Sequence, residues 1–411
     1  MKTAAIITIG NELLSGAVIN TNASLIANFI RPFGYYVSRI ITVPDQEPAI
    51  IEALDSLKPD EELIFITGGL GPTNDDITRR VVAQYFEAQL IFREDIYEHM
   101  VALFAQRGLQ LSENNRVQAY FPDNAQLLVN SIGTAPGMQF EKAGRTYFVL
   151  PGVPAELETL LQEEVAPRLA GKSRPLPERV YHFFGISESQ LYARLQPWIA
   201  QHPEVRFTFL PRGIQIDLVL LLLDEQQQSA LMVADQVIKQ TCGAELFAEG
   251  TETMESVVGQ QLLSQRLTLA VAESCTGGLI AHRLTNVAGS SNYFRGGVCA
   301  YHNSVKTDLL KVSPEILQKY GAVSAETAAA MAKGVRQALQ AEVGLSTTGI
   351  AGPSGGTSEK PVGLVYIGLA LDEAVIVHRF NFHRDRLMNK QLFAQTALDQ
   401  LRRQLSKRSS V

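Results

Sequence analysis

Residues 62–78 read Glu-Leu-Ile-Phe-Ile-Thr-Gly-Gly-Leu-Gly-Pro-Thr-Asn-Asp-Asp-Ile-Thr. The apolar run 62–67 stops at glycine, and a helical pattern follows over 77–86. A buried parallel strand that feeds a helix through a tight turn reads this way. The same alternation extends toward the N-terminus. Residues 4–9 and 36–43 read as strands, and 23–33 and 48–57 as helices, the latter opened by Pro48 near its first turn. A βαβαβ order predicts a doubly wound parallel sheet with right-handed crossovers. The fold class expected for residues 1–170 is therefore α/β.

The chain has 411 residues, 46% hydrophobic and 19% charged, enough for two or three domains with large cores. Residues 171–177 read as a linker. Residues 171–250 are expected to form a small α+β middle domain, with strands at 180–184 and 215–222 and helices at 189–200 and 226–241. A third domain, 251–411, opens with a helix at 254–265 and a strand at 268–272. Glycine-rich turns then alternate with helices, up to a final helix over 386–404 and a frayed tail at 406–411. The run 218–223, Leu-Val-Leu-Leu-Leu-Leu, has no alternating polar face, so it must be buried on both sides. A domain this small covers such a run poorly. Flanking domains or a second chain must help, and a homodimer is expected.

Net charge is −6, which argues against a nucleic-acid partner. The three cysteines, Cys242, Cys275 and Cys299, lack C-x-x-C spacing, so neither a disulfide framework nor a structural zinc is expected. The apolar run 218–223 is too short to cross a bilayer. Residues 1–10 pass into a strand without a signal-peptide pattern. A soluble, cytoplasmic protein without a membrane partner is expected.

In the third domain the strand 268–272 runs into Glu273-Ser274-Cys275-Thr276-Gly277-Gly278. Hydroxyls between a strand end and a helix start can cap the helix or, with free backbone N–H groups, face a ligand. A second loop, Thr348-Gly349-Ile350-Ala351-Gly352-Pro353-Ser354-Gly355-Gly356, lets the backbone approach a ligand. A third segment is Tyr301-His302-Asn303-Ser304-Val305-Lys306, where a lysine in a first helical turn is ordinarily a solvated surface residue. Together with Gly-Ala-Val-Ser at 321–324 and Lys-Pro-Val-Gly at 360–363, these segments resemble the C-terminal domain of the CinA family. The resemblance spans 253–405 and implies hydrolysis of nicotinamide mononucleotide to nicotinate mononucleotide and ammonia, without a cofactor.

Amide hydrolysis needs a nucleophile, a proton shuttle and oxyanion donors. Ser274 is assigned as nucleophile, ahead of Thr276 and then Cys275. Lys306 is the base, and it must be desolvated because a free amine titrates near ~10. Tyr301 relays or orients the proton. Glu273, Gly277, Gly278, Asn303, Thr348, Gly349, Ala351, Gly352 and Arg386 are expected to contact substrate. The resemblance departs at the last helix. The run is His383-Arg384-Asp385-Arg386 where members often carry Gly-Asp-Arg, and Lys390 stands where a later arginine often is, a point charge in place of a planar fork.

In the first domain, Gly68 to Thr78 forms a glycine-rich turn at a helix start, an anion cradle. Asp75 and Asp76 can serve the helix dipole or hold a divalent cation that bridges phosphate oxygens. No Gly-Lys-Ser/Thr follows, so this is not a Walker A loop. The run 68–78 resembles the molybdopterin-binding fold. Asn114-Asn115-Arg116, Gly-Thr-Ala-Pro-Gly at 133–137 and Leu150-Pro151-Gly152-Val153-Pro154-x-Glu156 are similar to the N-terminal domain of CinA. The resemblance implies metal-dependent hydrolysis of ADP-ribose to AMP and ribose 5-phosphate. Glu12, Gly68, Gly69, Gly71, Thr73, Asn115, Pro151 and Gly152 would bind substrate, Asp75 and Asp76 the divalent metal, with K⁺ as an additional cation. The middle domain would be KH-like by its order, but it has no Gly-x-x-Gly loop, so nucleic-acid binding is not carried over. Two other readings stand beside the bifunctional hydrolase: an N-terminal domain that binds a molybdopterin, and a non-catalytic adaptor in competence or DNA repair.

Overall fold

The computed structural model describes residues 2–171, 177–222 and 228–409. Most of the expected linker, and Leu223 of the apolar run, lie outside them. The chain divides into two compact units, Met1–Leu176 and Pro177–Val411.

Among its described residues the first unit has eight strands: β1 (Lys2–Ile9), β2 (Tyr35–Val43), β3 (Glu61–Thr67), β4 (Leu90–Phe92), β5 (Tyr120–Pro122), β6 (Gln126–Leu128), β7 (Gly137–Lys142) and β8 (Arg145–Leu150). Six form one sheet in the order β2-β1-β3-β8-β7-β6. The first four run parallel, as a doubly wound fold requires. The β7 and β6 strands extend the sheet antiparallel. Ala4, Ala5, Ile6 and Ile7 are 0% exposed, because helices cover both faces of the parallel strands. Register then fixes the site. Thr8 of β1 aligns with Thr67 of β3, and Thr67 with Leu150 of β8. The loops after all three strands therefore open at one sheet edge, where α/β sheets bind ligands.

The second unit holds two sheets. In one, β9 (Glu178–Phe183), β10 (Val205–Arg212), β11 (Gln215–Leu222) and β12 (Leu246–Glu249) are ordered β10-β11-β9-β12. Helices Glu188–Ile199 and Gln228–Cys242 accompany them. Leu218, Leu220 and Leu222 are 0% exposed and share a core with Leu191 and Ile238 of those helices. The other sheet contains β13 (Leu269–Glu273), β14 (Phe294–Cys299), β15 (Val343–Gly349), β16 (Leu364–Leu371) and β17 (Ala374–Asn381), in the order β14-β13-β15-β16-β17. β14, β13 and β15 are parallel, and the last two strands form an antiparallel hairpin.

Phe184, Phe247 and Ala248 of the middle segment are buried in the same core as Val271, Leu345 and Phe393. The expected middle and C-terminal domains thus pack as one compact unit. The final helix, Arg386–Ser409, continues through the stretch expected to fray as far as Ser409. Among the described residues, no helix is long and apolar enough to cross a membrane.

Candidate active sites

In the second unit, Glu273 of β13 pairs with Cys299 of β14 and with Thr347 of β15. The loops after these strands therefore emerge side by side. Ser274 N donates to Thr347 O at 2.9 Å, which extends the ladder by one residue and holds Ser274 at the strand end. The next helix, Leu279–Thr285, needs partners for its first N–H groups. Glu273 supplies them. Its carboxylate accepts from Gly278 N at 3.0 Å, Ile280 N at 3.0 Å and Ala281 N at 2.8 Å. At 1% exposure it is committed to the helix, which corrects the expectation that Glu273 touches substrate. The same bond withdraws the Gly278 N–H from any oxyanion hole.

The threonine hydroxyls of these loops face inward. Thr276 Oγ1 lies 2.8 Å from Thr347 Oγ1, and Thr348 Oγ1 donates to Ala322 O at 2.6 Å. Both threonines are 0% exposed, so neither a nucleophilic Thr276 nor a phosphate-holding Thr348 is available. Cys275 is buried, and burial pushes its thiol up to about 12, where little thiolate forms. Ser274 alone of the four keeps partial exposure.

Lys306 lies in the helix Asn303–Asp308. It is 1% exposed, against the surface position ordinary for such a lysine. Its ammonium donates to Ala300 O at 2.6 Å and Tyr301 O at 3.3 Å. Burial pulls its pKa down, while the nearby thiols of Cys275 and Cys299 act the other way. No hydrogen bond joins Lys306 to Ser274; two of its three donors serve backbone carbonyls.

Tyr301 is 62% exposed. Its Oη accepts from Arg386 Nη2 at 3.2 Å, and Arg386 Nη1 donates to Gly352 O at 2.7 Å. Arg386 therefore clamps the 301–306 segment to the glycine loop. Asn389 Nδ2 adds a bond to Ala351 O at 3.0 Å. Gly349 is half-buried at the head of that loop and Gly277 exposed in the first, while Asn303 is exposed at its helix start. Asn389 was not anticipated. Lys390 was, only as a departure: its Nζ lies 3.6 Å from where a Cβ on Gly277 would stand, which brings a positive charge beside the Ser274 loop.

In the first unit the converging loops enclose a cleft of about 410 Å³. Glu12, Gly68, Gly69, Gly71, Asp75, Asp76, Pro151 and Gly152 line it. Gly68 has φ +110, and a Cβ there would lie 2.1 Å from Ile9 O, so only glycine lets the two loops approach. Thr73 stands behind the two aspartates of the cleft. Its hydroxyl meets the carboxylates of Asp75 and Asp76, and its N–H donates to Asp76 at 2.9 Å. Asn115 also acts at one remove: it donates to Gln118 at 3.0 Å, and Gln118 lines the cleft.

The polar lining residues outside the expected set include Asn22, Asp45 and Glu156. Glu156 was within reach, because it ends the quoted motif at 150–156. Glu12, Asp45, Asp75, Asp76 and Glu156 place five carboxylates in the lining, which contains no lysine, arginine or histidine. Among the described residues no three His, Cys, Asp or Glu side chains gather into a metal-ligand set. Asp75 and Asp76 fit a hard divalent cation that keeps most of its waters and takes one or two carboxylates.

Comparison with known proteins follows the same division. Residues 251–405 match the CinA C-terminal domain, and residues 5–171 match a family described as a probable molybdopterin binding domain. A CinA-like protein of Citrifermentans bemidjiense is 41% identical over 408 residues, covering 99% of this chain and 98% of that protein. Another, from Acaryochloris marina, is 41% identical over 413 residues, with 98% of each chain covered. Among solved structures, the competence/damage inducible protein CihA from Agrobacterium tumefaciens is 38% identical, covering 36% of this chain and 93% of its own, with a TM-score of 0.34. Matched from end to end by such relatives, the chain belongs to the CinA family.

Proposed function

We propose that the C-terminal site hydrolyses the carboxamide of nicotinamide mononucleotide, releasing ammonia and nicotinate mononucleotide. The observation that carries this reading is Lys306, an ammonium buried to 1% exposure beside the strand end that bears Ser274. Burial lowers its pKa, so a neutral amine forms nearer to neutral pH, as a general base requires. Ser274 Oγ attacks the carboxamide carbon, and its proton passes to Lys306 directly or through one water. The tetrahedral oxyanion faces the N–H groups of residues 275–277, and collapse expels ammonia, which takes the proton. Water then cleaves the acyl-enzyme with Lys306 again as base. Lys390, beside Gly277, supplies a charge for the substrate phosphate.

For the N-terminal cleft we propose hydrolysis of ADP-ribose to AMP and ribose 5-phosphate. A cleft with five carboxylates and no basic side chain in its lining repels a diphosphate. A divalent cation at Asp75 and Asp76 would offset the charge of those two carboxylates and would polarise the phosphoryl oxygens. The match to a molybdopterin-binding family supports a second reading, in which the cleft holds a molybdopterin. That ligand would compete with ADP-ribose.

The purified protein is expected to release ammonia from nicotinamide mononucleotide. Ser274→Ala should lower kcat by about three orders of magnitude, leaving what binding and oxyanion donors provide. A chelator should abolish AMP release from ADP-ribose and spare ammonia release, and omission of K⁺ tests the additional cation. Ammonia release by Ser274→Ala within about tenfold of wild type would remove Ser274 from its role.

A further inference from the structure

The five carboxylates of the N-terminal cleft are not alike. Asp75 and Asp76 share the Thr73 hydroxyl. Glu156 is held differently. It enters from the helix Pro154–Leu160, directly after the loop that follows β8. Its carboxylate is seated over Gly133, where a Cβ would lie 2.2 Å from Glu156 Cδ. Glu156 Oε2 accepts from Asn130 Nδ2 at 2.8 Å.

Asn130 is 2% exposed, and the backbone fixes the orientation of its amide. Its Oδ1 accepts from Ile132 N at 3.3 Å and Gly133 N at 2.9 Å, while Nδ2 also donates to Ala135 O at 2.9 Å. The amide can therefore present only N–H to Glu156. One carboxylate oxygen is pinned. The other, Oε1, has no protein hydrogen bond among the described residues, in a side chain that lines the cleft.

We propose that Glu156 is the proton-transfer group of this cleft and takes the proton of the water that attacks phosphorus in a bound nucleoside diphosphate sugar. The proposal rests on reading the cleft as that of a diphosphate hydrolase. The water oxygen bonds to phosphorus as the bridging P–O bond breaks. The electron pair of that bond leaves on the departing phosphate. The water proton goes to Glu156 Oε1 and returns to the leaving phosphate. Burial raises the pKa of Glu156, against the opposing effects of the Asn130 bond and the Arg107 charge. The other charged groups of the cleft are Glu12, Asp45, Asp75 and Asp76.

The test uses the full-length protein with Mg²⁺ and ADP-ribose across a pH series. Glu156→Gln should lower kcat by about 10²–10⁴-fold, the range of general acid–base catalysis, with KM nearly unchanged. It should also remove the acid limb of the profile, where wild-type kcat falls as Glu156 protonates. Difference infrared spectra of the metal-free protein should contain a carboxyl band that titrates above the glutamate value of ~4.3, and Glu156→Gln should lack it. A variant kcat within about threefold of wild type, or an unchanged acid limb, overturns the proposal. Should Glu156→Gln fail to fold, Glu156→Asp must keep the acid limb while losing about tenfold or more in kcat; wild-type kcat in that variant overturns it equally. A wild-type protein that releases no AMP sinks the reading of the cleft. AMP release that is indifferent to Glu156 sinks only the proposal.

Discussion

Burying a lysine ammonium costs several kcal/mol unless it is paired and hydrogen-bonded. Lys306 has two carbonyl partners and no carboxylate within ion-pair distance among the described residues. A fold that merely needed a hydrogen-bond donor there could use a neutral one; an amine that must lose its proton gains from this environment. Lys306→Arg keeps the charge but cannot deprotonate near neutral pH. It is expected to be nearly as inactive in ammonia release as Lys306→Ala. The sign of the pH effect follows from the lowered pKa of Lys306. Wild-type kcat should fall as pH drops through that value, because the base protonates, and should hold at higher pH. Recovery of most of the rate by arginine would make Lys306 an electrostatic anchor and place the base elsewhere.

The helix Leu279–Thr285 is seven residues long, too short to be stable by itself. Three backbone N–H groups converge on the Glu273 carboxylate, so the helix start and the Ser274 loop are held by one side chain. Glu273→Gln keeps one acceptor but turns an amide N–H toward the others. A loss of about 1.5–3 kcal/mol is expected, the scale of hydrogen bonds to a charged group. Calorimetry should record a lower Tm, ammonia release should fall with it, and AMP release from the other unit should be unchanged. An unshifted Tm would count against the cap. Nothing in the local sequence distinguished this glutamate from a substrate ligand, because its partners exist only once the chain turns back on itself. Several strands are hidden in the sequence, and two of them show why. β10 carries Pro211 and was not read as a strand; it is tolerated because β10 is an edge strand. β14 reads Phe-Arg-Gly-Gly-Val-Cys and was absorbed into glycine-rich turns. Its Gly297 is needed because a Cβ there would lie 2.8 Å from Val271 Cγ2 across the pair. The parallel strands β1, β3 and β13 were legible because burial on both faces demands unbroken apolar runs. The catalytic loops were legible because glycine and hydroxyl clusters follow those runs. Asp45 and Lys390 are not assigned by the sequence because each reaches its cleft or loop from an element distant from the glycine-rich motifs, whereas Glu156 stands inside the motif at 150–156.

At the scale of the whole molecule, the apolar strand β11 bears on assembly. The helices Glu188–Ile199 and Gln228–Cys242 cover Leu218, Leu220 and Leu222, which accounts for one side of the run. On the other, Asp217 is 3% exposed and tied to His182 at 2.6 Å and Arg212 at 2.8 Å, so that face is partly polar and satisfied within the chain. The covering helices in turn present apolar side chains outward: Tyr192 at 48%, Met232 at 62% and Val233 at 42% exposure. A small sheet that spends its helices on its own core, and leaves a tyrosine, a methionine and a valine in water, gains by placing them against a second copy. We therefore expect a homodimer with contacts in the 178–249 segment, of twice the 45.1 kDa chain mass in light scattering. Met232→Glu, which puts a charge into that contact, should shift the protein toward monomer at micromolar concentration. Ammonia release should persist, because Met232 lies on the helix Gln228–Cys242, which packs on a different sheet from the one that bears Ser274. A wild-type monomer throughout the micromolar range, or a Met232→Glu dimer as tight as wild type, would assign those side chains to ordinary solvent exposure and leave the covering of β11 to the chain alone.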